Sequence, residues 1–362
     1  MQTVCLMMMV KDNPEVVARA VRTARPLVTS WVMMVNEGDA EALHTVVHNV
    51  LGDLPGGIVE CPWVNHGANQ TLLFAMARPR ADYSLLLDGD DMLEMPPGFT
   101  LPELTADVYR LTIMDQTLRY PRRQIFSNAL EWRSEGAYHE TQAANGVHTE
   151  ELLGELLYRR CHDGARRGSV EKHVKVAAGL EREMLKDPTN TRNAFYLAQS
   201  YRDAGNAIAA IAAYESRVAM GGWHQEVYVS HLNIGRLLLQ LDAPPMNINN
   251  AFMRAYQACP TRAEALYELA KYNRLQGSFH LAYLFAKEAA KLPIPREDLF
   301  MEADIYEWRA LDEHAIAAYW TGRDVEALAL NARLLEVVPP PEKARITSNR
   351  AFSVQRLGLH TI

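Results

Sequence analysis

Ala81-Asp-Tyr-Ser-Leu-Leu-Leu-Asp-Gly-Asp-Asp-Met-Leu93 is the stretch on which the fold turns. Asp82 to Leu87 reads as a buried strand, and it ends on the acidic cluster Asp88-Gly89-Asp90-Asp91. Short apolar runs alternate with helical patterns upstream of it. Val4 to Val10, Ser30 to Val35 and Gly57 to Cys61 read as strands; Pro14 to Thr23, Glu41 to Leu51 and Ala68 to Ala77 read as amphipathic helices. Such alternation predicts an α/β domain with a largely parallel sheet. Ligands of these sheets collect beyond the carboxyl ends of the strands, so Lys11-Asp12, Asn36-Glu37 and Asp88 to Asp91 are expected to border one crevice.

Residues from Asp107 to Tyr138 read as shorter, mixed strands and loops, with Val108 to Ile113 the clearest. From about Val170 the texture changes to continuous helical periodicity rich in Ala, Leu and Tyr, which puts a boundary near Arg166 to Gly168 and divides the chain into 1–168 and 169–362. The second part repeats itself. Leu197, Tyr201, Gly205, Ala210 and Tyr214 form one copy; Ile234, Gly235, Phe252, Ala255 and Pro260 a second, stretched around Pro244-Pro245; Leu269, Ala270, Gly277, Ala282 and Ala289 a third. Gly322, Ala327, Leu334 and Val338-Pro339 suggest a degenerate fourth. The anchors 197, 234 and 269 lie 37 and 35 residues apart, near the roughly 34 of a tetratricopeptide unit. An all-α, tetratricopeptide-like helical array follows, whose concave face suits a protein partner or a second copy of the chain.

Composition bounds the function. At 362 residues, with 48% hydrophobic and 22% charged residues, the chain reads as an ordinary globular protein. A formal net charge of -7 gives no overall pull toward a nucleic-acid backbone. Cys5, Cys61, Cys161 and Cys259 are far apart and form no Cys-x-x-Cys pair, which argues against a zinc knuckle and for buried thiols. No apolar run approaches the roughly 20 residues of a membrane span, and Lys11 and Asp12 follow the first one where a signal peptide would carry small residues. A soluble, cytoplasmic protein is expected.

A strand that ends in Asp-x-Asp suits one chemical task. Hard carboxylate oxygens hold Mn2+ or Mg2+, and the cation neutralises a departing diphosphate. On this reading Asp90 is the metal ligand, Asp88 touches ribose or metal-bound water, and Asp91 adds to the negative field. Arg166 and Arg167, with Lys172 and Lys175, offer positive charge to phosphate oxygens or simply open a solvated helix. Trp63 is expected in the core, Trp132 either there or stacked on a base or sugar, and the Met7-Met8-Met9 and Met33-Met34 runs in strand packing.

Four ordered stretches carry a family resemblance. Cys5-Leu-Met-Met-Met-Val-Lys-Asp-Asn13, Trp31-Val-Met-Met-Val-Asn-Glu-Gly-Asp39, Pro62-Trp-Val-Asn-His-Gly-Ala-Asn-Gln70 and the stretch 81–93 together resemble the inverting glycosyltransferase family 2. Glu131-Trp-Arg-Ser-Glu-Gly-Ala-Tyr-His-Glu140 resembles an element of such enzymes that carry a C-terminal tetratricopeptide array, as do Phe195 to Tyr201 and Gly221-Gly-Trp223. The resemblance implies a GT-A (nucleotide-diphospho-sugar transferase, Rossmann-like) domain that moves a sugar, from UDP-sugar first, to an acceptor hydroxyl or thiol. It implies that Asn36 and Glu37 lie near the base, that Asn69 belongs to the donor site with Lys11, Asp12 and Asp88, and that Glu140 deprotonates the acceptor. His139 and His162 compete as third metal ligand, and His162 is favoured because Cys161-His-Asp-Gly-Ala-Arg-Arg-Gly168 resembles the loop that closes over the diphosphate. Three departures stand out: Asp12-Asn13 after the first strand, Asn36 where the family usually has aspartate, and Gln70 where it often has arginine. They motivate the rival, a non-catalytic nucleotide-binding scaffold that recruits proteins through its repeats. The acceptor stays open among a glycan, a peptide side chain and a hydroxylated DNA base.

Overall fold

The computed structural model describes residues 2–359 apart from 12, 37–38, 137, 139, 147, 164–168 and 296–298. The chain forms two compact units, Met1–Lys172 and His173–Ile362.

The first unit opens with β1 (Val4–Val10), α1 (Pro14–Ala24), β2 (Ser30–Val35), α2 (Ala40–Leu51), β3 (Gly56–Glu60), α3 (His66–Ala77) and β4 (Tyr83–Leu86). Each helix starts on a side-chain cap: Asn13 accepts from the Glu15 N–H, Asp39 from those of Glu41 and Ala42, and Asn65 from that of Ala68. These four strands are mutually parallel in the order β3-β2-β1-β4. Both faces of β1 are therefore covered, which is why it lacks polar alternation. Leu6, Met8 and Val10 pack with Val17, Val21, Leu43 and Val47 of α1 and α2, whereas Cys5 and Met7 pack with Leu73, Phe74 and Ala77 of α3. The methionine runs are core, with Met7, Met8, Met33 and Met34 all fully buried.

Beyond β4 the sheet becomes mixed. It adds β5 (Met92–Glu94), β6 (Val108–Asp115), β7 (Leu118–Ser127) and β10 (Glu150–Arg159) in the order β4-β7-β6-β10-β5, while β8 (Arg133–Glu135) and β9 (Thr141–Ala143) pair separately. The short, mixed pieces expected between Asp107 and Tyr138 are instead dominated by one long hairpin, β6 against β7, paired from Val108↔Phe126 to Asp115↔Leu118 with one register shift between Tyr109 and Arg110. Leu118-Arg-Tyr-Pro-Arg-Arg-Gln124 conceals a strand because its charges have partners across the sheet: Arg123 and Arg110 both reach Glu150 of β10.

The second unit takes in most of α4 (Val170–Lys186), then α5 (Thr191–Asp203), α6 (Ala207–Ala219), α7 (His224–Gln240), α8 (Pro245–Ala258), α9 (Glu264–Leu275), α10 (Phe279–Ala289), α11 (Ala310–Trp320), α12 (Asp324–Val337) and α13 (Lys343–Arg356). From α5 to α12 successive helices pack as pairs, in a tetratricopeptide-like arrangement. The copy anchors fall on these pairs, and Gly235 of α7 shows why the small positions matter. A Cβ there would lie 2.4 Å from the Phe252 ring of α8, so only glycine permits this approach. The stretch expected at Pro244-Pro245 is a long α7 followed by a proline start, with Pro245 in the first turn of α8. Among the described residues no helix is long and apolar enough to cross a membrane.

Candidate functional site

The strand order reverses between β1 and β4, since β1 continues to β2 on one side while β4 arrives on the other. Carboxyl ends at such a reversal leave a crevice. The Asp88–Asp91 turn sits there, closed by the Asp91 N–H donating to the Asp88 carbonyl at 3.2 Å.

Each acid of the turn has a distinct environment. The Asp88 N–H donates to the Tyr158 hydroxyl of β10 at 3.0 Å, and its carboxylate accepts from Arg122 Nη2 of β7 at 3.2 Å. Desolvation opposes ionisation of Asp88, but Arg122 and then the charge of His66 outweigh it and hold the carboxyl below the usual carboxylate range. Burial and then the Asp88 charge push the Tyr158 phenol well up, so it stays protonated. Asp91 is buried, accepts the Cys161 N–H at 3.1 Å and faces Arg160 Nε at 3.9 Å. Burial, followed by the charges of Asp88 and Asp90, pushes its carboxyl up to about 6. The Asp90 carbonyl accepts from Arg19 Nη2 of α1 at 2.6 Å, and the same guanidinium grips Asp163 at 2.5 and 2.8 Å.

His66, the first residue of α3, stands beside this turn. Its Nδ1 is 3.2 Å from Oε2 of Glu140. The neighbouring Gly67 lets α3 approach the segment that bears Glu140: a Cβ there would meet the Gly136 carbonyl at 3.0 Å and the Ser134 carbonyl at 3.3 Å. The sheet and α3 thus bring Asp88, His66 and Glu140 into one neighbourhood, although Glu140 is 52 positions from Asp88 in the sequence.

Of the other expected site residues, Lys11 stands at the carboxyl end of β1, where the strand-end reading put it, and is exposed, whereas Asn36 and Asn69 are held by the fold. Asn36 caps the end of β2 by donating to the Cys61 carbonyl at 2.9 Å. Asn69 is buried, and its amide is spent within the fold, accepting the Val64 N–H at 3.0 Å and donating to the Pro62 carbonyl at 3.0 Å. Gln70 is likewise buried, accepting from the Ser134 hydroxyl and from Gln142 at 3.0 Å. Asp12, Glu37, His139, Arg166 and Arg167 lie outside the described residues.

The expected ligand set Asp88, Asp90 and His162 is not assembled. His162 Nε2 turns to Oδ1 of Asp115 at 2.6 Å, from a backbone with φ of 58°, because β6 delivers that carboxylate beside it. Asp88 is shared with Arg122, and among the described residues no three His, Cys, Asp or Glu side chains converge as a metal group. Trp63 also departs from expectation. It is 48% exposed and lies edge-on to His66 at 6.4 Å, whereas Trp132 is core, with its indole N–H donating to the Ser127 carbonyl at 2.8 Å.

His66, Arg122 and Tyr158 are the residues that the sequence did not single out. Asn65, a helix cap just past the third strand, is the local signal that would have drawn attention to His66. Nothing comparable marks Arg122 within its charged strand. A cavity of about 590 Å³ lined by Gln2, Arg78, Asp82 and Asn128 lies at the opposite end of β4 and contains none of these groups.

No protein-family model matches this chain, and no curated protein does. Solved structures similar to it include MamA, at 16% identity over 53% of this chain and 90% of that one with a TM-score of 0.37. YrrB, described as a TPR protein with an unusual peptide-binding site, matches at 14% identity over 51% and 86% with a TM-score of 0.41. A tetratricopeptide repeat protein from Parabacteroides merdae matches at 18% identity over 52% and 68% with a TM-score of 0.38.

Proposed function

We propose that the first unit is a GT-A-type domain that binds a nucleotide-diphosphate sugar, UDP-sugar first, and moves the sugar with inversion to an acceptor hydroxyl. One observation carries the reading: the Asp88–Asp91 turn closes β4 where the strand order reverses, with the His66 and Glu140 pair beside it. Arg19, Arg122 and Arg160 border the turn and supply positive charge suited to phosphate oxygens. The reaction needs a group that removes the acceptor proton as the diphosphate leaves, and an imidazole next to a carboxylate is equipped for that.

Titration calorimetry of the full chain with UDP and GDP, with and without Mn2+, followed by incubation with a panel of UDP- and GDP-sugars, tests this. Expected are UDP binding and release of UDP from at least one donor, with Asp88→Asn abolishing the release. Absence of nucleotide binding under every condition, together with release no faster than the protein-free blank, would sink the reading.

A second reading is favoured by the surface of the helical unit, where Trp320 is 55% exposed with Phe279 stacked on it at 5.0 Å, and Phe352 is 53% exposed. Such a surface fits recruitment of a protein partner, with the first unit holding a nucleotide and turning nothing over. Nucleotide binding without donor consumption would favour this scaffold.

A further inference from the structure

We propose that His66, oriented by Glu140, is the group that takes the acceptor proton, and that Glu140 is a positioning carboxylate and not itself the base. This deepens the transferase reading and rests on it. Three features of the pair support the exchange of roles.

The first is accessibility. Glu140 is the more enclosed partner, its side chain 14% exposed against 26% for His66. An acceptor entering the crevice meets the imidazole before the carboxylate. The second is direction. Nδ1 of His66 is sealed from solvent and lies 3.2 Å from Glu140 Oε2, an ion-pair distance without an aligned hydrogen bond, so the exposed part of the ring lies elsewhere. A carboxylate at Nδ1 favours the tautomer that carries its proton there, which leaves a lone pair on Nε2. The third is chemistry, since an imidazole is better matched than a carboxylate to proton abstraction near neutral pH. Asp88, in the turn after β4, is near enough to interact electrostatically with the ring, and the Trp63 indole lies edge-on beside it at 6.4 Å.

The step then balances. The acceptor O–H gives its proton to Nε2 of His66, and the freed oxygen pair bonds to the anomeric carbon. The bond from that carbon to the diphosphate oxygen breaks, its electron pair leaving on the nucleotide diphosphate. His66 afterwards passes the proton to solvent.

Histidine-selective 15N labelling of the full chain reads the tautomer directly through two-bond proton–nitrogen couplings. The signals of His66 are assigned among the 12 histidines by their loss in His66→Gln. Expected is a proton on Nδ1 and none on Nε2, with the preference reversed in Glu140→Ala. With water or an added sugar as acceptor and UDP-sugars as donors, His66→Gln is expected to slow UDP release by about 100-fold, with UDP affinity within twofold of wild type. A proton on Nε2 in the wild type, or wild-type release by His66→Gln, overturns the assignment while leaving the transferase reading intact. If the wild type itself consumes no donor, the transferase reading falls and takes this role with it, even where the tautomer is as expected.

Discussion

Arg122 Nη2 donates to Oδ2 of Asp88 at 3.2 Å while the same guanidinium lies over the Tyr158 ring, 4.8 Å from its centroid. The turn after β4 meets strands β7 and β10 in that contact. Arg122→Met removes the counter-charge and leaves Asp88 facing the desolvation that opposes its ionisation. Because the carboxyl is depressed in the native protein, its contribution is present above the unfolded value and is lost as pH falls through the folded one. The variant is therefore expected to be less stable than wild type at pH 7 by roughly 1 kcal/mol, a figure kept small because both side chains are more than a third exposed. The gap should narrow in urea unfolding as pH falls below the unfolded value of 3.8; a gap independent of pH would contradict this account.

Asp91 has the opposite sign. Its carboxyl is pushed up to about 6, so the native state binds the extra proton between the unfolded value of 3.8 and 6. Stability drawn from this group therefore decreases as pH rises through that window. Asp91→Asn keeps an acceptor for the Cys161 N–H and removes the buried charge. Relative to wild type, its unfolding free energy should gain steadily between about pH 4 and pH 6 and level off above, the whole change being at most about 3 kcal/mol. Parallel pH profiles for the two proteins would refute the shift.

In the helical unit, Gly235→Ala forces a methyl group into the Phe252 ring, which is itself fully buried. A cost of about 1–3 kcal/mol is expected from overpacking. Phe252→Leu in the same chain should recover part of it, giving a non-additive cycle in chemical denaturation. Strict additivity would mean that the two residues do not touch.

Arg262 and Glu264 are both fully buried and paired at 2.7 Å, and Glu264 also accepts from the hydroxyls of Tyr228 at 3.0 Å and Tyr306 at 2.7 Å. Removing either charge alone leaves the other stranded, so Arg262→Met or Glu264→Gln should each cost about 3–5 kcal/mol. The double variant Arg262→Met with Glu264→Gln should cost less than the sum. Small single effects would show that water reaches the cluster.

The sequence by itself determined the parallel half of the sheet, because β1, β2 and the helix that follows each are specified by local periods and caps such as Asn13 and Asp39. It also marked the acidic end of β4 and the repeating helix pairs, whose small and large residues recur at a fixed spacing. Tertiary structure alone decided what those acids meet. Arg122 comes from a strand too charged to be legible as one, and its partner Asp88 stands on a turn 34 positions away, which no local pattern records. The same holds for His162, turned to Asp115, for Asn69, spent on loop backbone, and for Glu140, which reaches His66 only because α3 and the segment after β8 pack closely at Gly67. Hydrogen bonds and ion pairs act over about 3 Å whatever the distance along the chain, so the site belongs to the packing of the elements and not to any one of them.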